Sequence, residues 1–191
     1  LMNSIAIYKE IGKDGLRDNL VYFLKSIQQI CEEEGITMTI HPDDPPFPIL
    51  GLPRIASNDE DLLYILDKVP ESFNGVCFCT GSLGAGAHND LPDILAKVGE
   101  RVHFAHLRNV KRNNRGDFYE AEHLDGDVDM VSIMQQLIRL NNKRNTPIIY
   151  RPDHGHQLLD DLDKQTNPGY SAIGRLKGLA ELRGLEKGLD R

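Results

Sequence analysis

The alternation of two kinds of segment is what most constrains the fold of this 191-residue chain. Four short runs rich in β-branched and other apolar residues each lead through a polar loop towards an amphipathic stretch. These runs are 36–41, 75–80, 102–107 and 146–151. Because strand-like and helix-like segments alternate, we predict a parallel sheet with helices packed against it.

Apolar residues recur at three- and four-residue spacings between these runs, which predicts helices. The helical segments are 15–34, 58–68, 90–98, 128–141 and 170–188. In the first segment the apolar face comprises Leu20, Phe23, Leu24, Ile27 and Ile30. In the last, leucines recur every three residues from Leu176. The second begins with Ser57 or Asn58 as its cap. The polar stretch 108–127 is predicted to be a long loop.

No linker-like or low-complexity stretch divides the chain, so we expect residues 1–191 to form a single domain. A complete eight-unit barrel takes about 250 residues. Four strand-helix units in 191 residues therefore predict either half of such a barrel or a small open α/β sheet.

Composition excludes several classes of protein. The chain has 22 Lys and Arg against 29 Asp and Glu, a net charge of −7, whereas general nucleic-acid binding needs a basic surface. The longest apolar runs fall far short of the roughly 20 residues that cross a bilayer. Three cysteines are an odd set in a chain of this size, which favours reduced thiols or a metal ligand in the cytoplasm over a disulfide framework.

The predicted strands end in residues that can bind metal. His41, Cys79 and His106 close the first three strands, and Asp153 follows the fourth. Because carboxyl ends of parallel strands share one face, we expect these residues to be neighbours. Imidazole, thiolate and carboxylate together suit Mn²⁺, Fe²⁺, Co²⁺ or Zn²⁺, whereas Mg²⁺ and Ca²⁺ prefer oxygen alone. Taken singly, each residue also has a structural explanation, such as a surface histidine, a buried thiol or a helix cap.

Other motifs carry weaker signals. Cys77 lies on the same strand face as Cys79 and is expected in the next layer of side chains in the barrel interior. The glycines of 81–87 do not follow a phosphate-binding pattern, so we expect a mobile active-site loop there. Arg108, just beyond His106, is interpreted as a clamp for a substrate carboxylate. His123, in the polar loop, is expected to be structural.

Five motifs together resemble the mannonate dehydratase family. They are H-P-D-D-P-P at 41–46, C-T-G-S at 79–82, H-L-R-N at 106–109, R-P-D-H-G-H at 151–156 and N-P-G-Y at 167–170. The resemblance implies a (β/α)₈ TIM barrel of the sugar-isomerase type. It implies an enzyme that uses Mn²⁺ or Fe²⁺ to convert D-mannonate to 2-dehydro-3-deoxy-D-gluconate in bacterial hexuronate breakdown.

Residue by residue, the resemblance places metal ligands on His41, Cys79, His106 and Asp153. It matches His154 and Tyr170 to the catalytic histidine and tyrosine. Eliminating water across C2 and C3 requires a base, an acid and an ion that stabilises developing charge. Which of His154 and Tyr170 is base or acid stays open. Arg108 and Asn109 are expected to orient the sugar acid.

The chain is shorter than members of that family and resembles their C-terminal half. We therefore expect the four C-terminal βα units of a barrel, with the N-terminal half absent and Leu1-Met2 an interior point. An apolar sheet edge would then need covering by the remainder or by a partner. We also expect a homo-oligomer, a dimer in particular, with no nucleic-acid or membrane partner.

The sequence leaves two alternative functions open. One is a divalent-metal sugar isomerase or epimerase on the same barrel, although such enzymes draw their ligands mainly from Glu and Asp. The other is a non-catalytic α/β binding domain in which the histidines and Cys79 are structural.

Overall fold

Parallel strands and helices alternate along residues 1–190, the part of the chain that the computed structural model describes. The strands are β1 (Met38–Ile40), β2 (Asn74–Cys79), β3 (Val102–His106), β4 (Val110–Arg112), β5 (Phe118–Glu120) and β6 (Ile149–Arg151). The helices are α1 (Met2–Glu33), α2 (Asp59–Lys68), α3 (Thr80–Gly84), α4 (Leu91–Val98), α5 (Met130–Asn141) and α6 (Ala172–Leu189). Short 3₁₀ turns occupy Gly99–Arg101 and Leu159–Asp163.

The main sheet has the order β1-β2-β3-β6 with every pair parallel, which confirms the predicted sheet. Strand β2 is buried along its whole length. At the carboxyl edge Cys79 is the register partner of His106, and His106 is the partner of Arg151. Register therefore aligns the ends of β2, β3 and β6 within one row.

The apolar core lies between one face of this sheet and the helices. Phe78 on β2 and Ala105 on β3 are fully buried in it, together with Leu95 of α4 and Ile133 of α5. Burying one such large side chain contributes about 1.5 to 3 kcal/mol. Cys77 and Cys79 point to the opposite face of β2 and lie outside the core cluster, so that face is left for the candidate site.

Side-chain caps define where the central helices begin. Asn58 accepts a hydrogen bond from the Asp61 backbone N–H at 2.9 Å, which identifies it, rather than Ser57, as the cap of α2. Asp90 and Asp129 cap α4 and α5 in the same way. Each cap satisfies a donor that the first helical turn leaves free.

Helix α1 begins well before the predicted residue 15 and is kinked at Gly12, whose φ is +67°. Within it Leu24 and Cys31 are buried. Phe23 and Ile30 are 50% and 60% exposed, so the predicted five-residue apolar face is wrong for these two. The helix packs through a narrower stripe, and Tyr22, Phe23 and Ile30 each keep at least half of their surface exposed.

Two segments predicted as loops have regular structure. Strands β4 and β5 form an antiparallel hairpin within 108–127, and Asn113 accepts backbone hydrogen bonds across its turn. Thr80, predicted to end the second strand, and residues 81–84 of the predicted mobile loop form the buried helix α3. Both segments are too short and too rich in Gly or polar residues to show a periodic pattern.

The buried stripe of α6 consists of Gly174, Gly178 and Leu182, whereas Leu176 is 63% exposed. The predicted leucine face is therefore only partly correct. Gly174 lies directly on the backbone of Gly155 and the carbonyl of His156, with no room for a methyl group. Small residues thus let α6 approach the loop that follows β6.

No helix among residues 1–190 is both long enough and apolar enough to span a membrane.

A Gly174→Ala substitution should lower the free energy of unfolding by about 1 to 3 kcal/mol, because the added methyl collides with backbone that cannot rotate away. The matched control is Gly184→Ala in the same helix, where open space surrounds the glycine. That control should be neutral or stabilise by up to about 1 kcal/mol. Urea denaturation of both variants measures the difference, and equal stabilities would contradict the close packing of α6.

Candidate metal centre and active site

Three of the four predicted ligands converge at the carboxyl edge of the sheet. His41 follows β1, Cys79 ends β2 and His106 ends β3. Their candidate ligand atoms all lie within 4.8 Å of one another. Bonds of about 2.0 to 2.3 Å to a single ion place two ligand atoms no more than about 4.5 Å apart. Small side-chain movements therefore suffice for these residues to share one ion.

The donor chemistry of the histidines fits a metal. His41 Nδ1 lies 2.7 Å from the Pro42 carbonyl oxygen, and donation to that carbonyl leaves Nε2 with its lone pair. His106 is 7% exposed, and its Nδ1 has no hydrogen-bond partner in the described structure. A buried imidazole with an unsatisfied nitrogen is costly unless a ligand compensates it.

Cys79 is fully buried but electrostatically favours the thiolate. Burial alone raises the pKa of its thiol, while hydrogen bonds with His106, His41 and Ser82 outweigh this and lower the pKa to about 6. Ser82 donates from its backbone N–H at 3.4 Å and its hydroxyl at 3.1 Å. The thiolate is the form that binds metal. Burial raises the pKa of Cys77 to about 12, so it stays a neutral thiol.

Asp153 lies beside the three converging residues, outside their compact group. Its Oδ2 is 3.6 Å from His106 Nδ1, and its Oδ1 accepts from Arg151 at 2.9 Å. Its φ is +65°, and the His154 N–H donates to the Pro152 carbonyl at 3.0 Å, closing a tight three-residue turn. Such a turn is strained for a non-glycine residue.

His154 and Tyr170, the predicted catalytic pair, contact each other directly. His154 Nε2 lies 3.2 Å from the Tyr170 hydroxyl, and the rings meet edge to face with centroids 4.9 Å apart. A backbone bridge between Gly155 and Tyr170 brings the two segments together. His154 Nε2 is also 3.9 Å from Asp153 Oδ2. The pair therefore adjoins the predicted metal ligands.

Arg108 occupies a different position from the one its predicted role requires. Its side chain is 6% exposed and donates to Asp44 Oδ2 at 2.5 Å and to Glu120 Oε1 at 2.5 and 2.7 Å. Gly81 has no side chain, which lets the Arg108 stem lie against α3. Because two carboxylates already hold the guanidinium, this geometry argues against a direct clamp on substrate.

Asn109 likewise has no polar group left for a substrate. It is 1% exposed, its Nδ2 donates to the carbonyls of His123 and Val128, and its Oδ1 accepts from the N–H groups of Val110 and Val128. These four bonds use the full capacity of the amide. Asn109 therefore organises the loop after β3, and its predicted contact with the sugar acid is not supported.

Two residues of the polar stretch make long-range contacts beside the candidate site. His123 is buried, with Nε2 2.9 Å from the Pro152 carbonyl, which agrees with its expected structural role. Glu120, at the end of β5, contacts both Arg108 and His154. Nothing in the predicted loop singled out Glu120, because a three-residue strand carries too short an alternation to detect.

A Ser82→Ala variant should raise the pKa of Cys79 above about 6, because it removes the 3.1 Å hydroxyl contact with sulfur. In metal-free protein the thiolate absorbance should then appear at higher pH. Subtracting the titration of Cys79→Ala isolates the Cys79 signal from the other two thiols. An unchanged midpoint would show that Ser82 does not stabilise the thiolate.

The sequence was compared with protein families and with individual known proteins. A family model described as D-mannonate dehydratase (UxuA) matches residues 1–191. A mannonate dehydratase from Marinomonas sp. (strain MWYL1) is 50% identical over 188 residues, covering 95% of this chain and 48% of that protein. The chain thus spans about half the length of the curated relatives it matches.

Solved structures agree in fold. The crystal structure of mannonate dehydratase from Streptococcus suis serotype 2 superposes with a TM-score of 0.89 at 33% identity, covering 99% of this chain and 54% of that one. A xylose isomerase-like TIM-barrel protein from Mycobacterium smegmatis gives a TM-score of 0.62 at 16% identity, covering 92% and 52%. The predicted fold class, a partial TIM barrel, is confirmed.

Proposed function

The chain belongs to the D-mannonate dehydratase family, and from that premise we propose that it forms the metal-binding side of an enzyme that dehydrates D-mannonate. The product would be 2-dehydro-3-deoxy-D-gluconate, formed in hexuronate breakdown. The observation that carries the proposal is the convergence of His41, Cys79 and His106 within 4.8 Å, beside the contacting pair His154 and Tyr170.

We assign one divalent transition-metal ion, Mn²⁺ or Fe²⁺, to His41, Cys79 and His106, with Asp153 as a fourth ligand. Nitrogen, sulfur and carboxylate donors together favour a borderline ion over Mg²⁺ or Ca²⁺. When bound, such an ion acts as a Lewis acid that stabilises negative charge developing beside the substrate carboxylate.

The protein groups in this proposal move two protons. A base takes the C2 proton, the electron pair forms the C2–C3 double bond, and the C3 hydroxyl leaves as water after an acid protonates it. The resulting enol then becomes the 2-keto acid. His154 and Tyr170 are the proposed base and acid, in an order that their 3.2 Å contact permits in either direction.

The pKa of His154 supports a role in proton transfer. Proximity of the Glu120 carboxylate, the largest influence, raises this pKa above its ordinary value, and burial opposes the change. An imidazole that titrates above its usual range holds a proton at neutral pH more readily than a free histidine does. Tyr170 is 46% exposed, so the pair is open to an incoming substrate.

We also propose a cytoplasmic homo-oligomer without nucleic-acid partners. The three cysteines are free thiols, as is usual in reducing compartments. Tyr22, Phe23 and Ile30 of α1 are 76%, 50% and 60% exposed, and such apolar surface favours coverage by further protein. The net charge of −7 disfavours contacts with phosphate groups.

Removing the metal should abolish dehydration of D-mannonate by the protein that contains this chain, and adding Mn²⁺ should restore it. A His106→Ala variant should bind less metal, while His103→Ala, at the other end of β3, serves as the control. Elemental analysis and detection of the 2-keto acid measure the two effects. Failure to bind any transition metal would favour a non-catalytic domain, and ketose formation would favour an isomerase.

A His154→Asn variant should keep its metal yet dehydrate D-mannonate about 10²- to 10⁴-fold more slowly, the usual loss when a general acid or base is removed. Steady-state rates at matched metal content provide the measurement. An undiminished rate would remove His154 from the reaction.

A further inference from the structure

We propose that Glu120 is the positioning residue for His154. Its Oε1 fixes the imidazole with Nδ1 towards the carboxylate and Nε2 towards Tyr170. The inference rests on the proposed function, since it assigns the partner that orients the proposed catalytic histidine.

The first support is the arrangement of polar atoms around the ring. Glu120 Oε1 lies 3.0 Å from His154 Nδ1, and the Tyr170 hydroxyl lies 3.2 Å from Nε2 on the other side. His154 Nδ1 is buried and makes no aligned hydrogen bond with any described group. Catalytic hydrogen bonds are often misaligned before substrate binds, and a small ring rotation would align Nδ1–H with Oε1.

The second support is that Glu120 is itself fixed. The same Oε1 accepts from Arg108 Nε at 2.7 Å and from its NH2 group at 2.5 Å. Arg108 in turn donates to Asp44 at 2.5 Å. Burial raises the pKa of the Glu120 carboxyl, but His154 and Arg108 together hold it below its ordinary value. Glu120 is therefore an ionised acceptor with little freedom to turn.

The third support is that backbone hydrogen bonds of the β4–β5 hairpin fix the position of Glu120. Glu120 is the register partner of Val110, and the next residue, Ala121, donates to the Asn109 carbonyl at 3.0 Å. Since Asn109 is held by four side-chain hydrogen bonds, the end of β5 is tied to the loop that follows β3. The hairpin thus delivers a carboxylate to the far side of His154.

This arrangement selects one form of the imidazole. Donation from Nδ1–H to Glu120 leaves the lone pair on Nε2, the nitrogen that faces Tyr170. A carboxylate in this position commonly sets both ring orientation and tautomer of a functional histidine. Without it the ring could flip or change tautomer, and Nε2 would no longer face the tyrosine.

The test compares Glu120→Gln with Glu120→Met in the metal-loaded protein. Glutamine keeps an oxygen at the Oε1 position, so it should retain most of the activity. Methionine has similar length but no acceptor oxygen, and its kcat should fall about 10- to 100-fold with metal content unchanged. Glu122→Ala is the matched control, because Glu122 pairs with Lys177 and His156 and should leave kcat unchanged. Glu120→Ala replaces the methionine variant if that does not fold.

Nitrogen-15 NMR of the histidine rings supplies a readout independent of activity. The Zn²⁺-loaded protein is diamagnetic, and the signal missing from His154→Asn identifies His154. At a pH where the ring is neutral, wild type and Glu120→Gln should show the proton on Nδ1, and Glu120→Met should show a mixture of the two neutral tautomers.

Identical His154 signals in all three proteins, or full kcat in Glu120→Met, would overturn the inference. If the signals respond as expected but no variant or wild type dehydrates mannonate, the proposed reaction fails and the positioning role stands.

Discussion

Parallel pairing of β2 with β3 is the constraint on which the rest of the site depends. The register that matches Cys79 with His106 puts a thiol and an imidazole side by side at one edge. The neighbouring strands then add His41 on one flank and Asp153 on the other. Antiparallel pairing of any of these strands would send one group to the opposite edge. The convergence of these residues, which could hold a metal ion, is thus a consequence of strand direction.

Charge balance in a nearly dry environment is the second organising feature. Cys79 is fully buried, and Arg108 and Asp153 are 5% and 7% exposed. Burying any one of these side chains in its charged form without a partner would cost free energy, because desolvation disfavours the charged form. Each instead contacts groups that favour its charge: Ser82 and two histidines for the thiol, two carboxylates for the guanidinium, and Arg151 for the aspartate. Removing one partner would leave a buried charge uncompensated.

The sheet is open at both sides among residues 1–190, because β1 and β6 each pair with a single neighbour. Ile149 on β6 is 67% exposed, and His41 and Tyr170 also face outward from this half of the site. In a closed barrel such edges and interior faces are covered by further strands. The relatives that the chain matches are about twice as long as the chain.

The sequence by itself determined the βα order, the four sheet strands and the residues at their ends, because strand periodicity and capping residues are local signals. It also supported the family through specific motifs. Only the tertiary structure decided what those side chains contact. The sequence predicts substrate contacts for Arg108 and Asn109, yet partners 12 to 64 residues away along the chain occupy most of their hydrogen-bonding groups. No sequence pattern points to Glu120, because its contact with His154 is made across the fold.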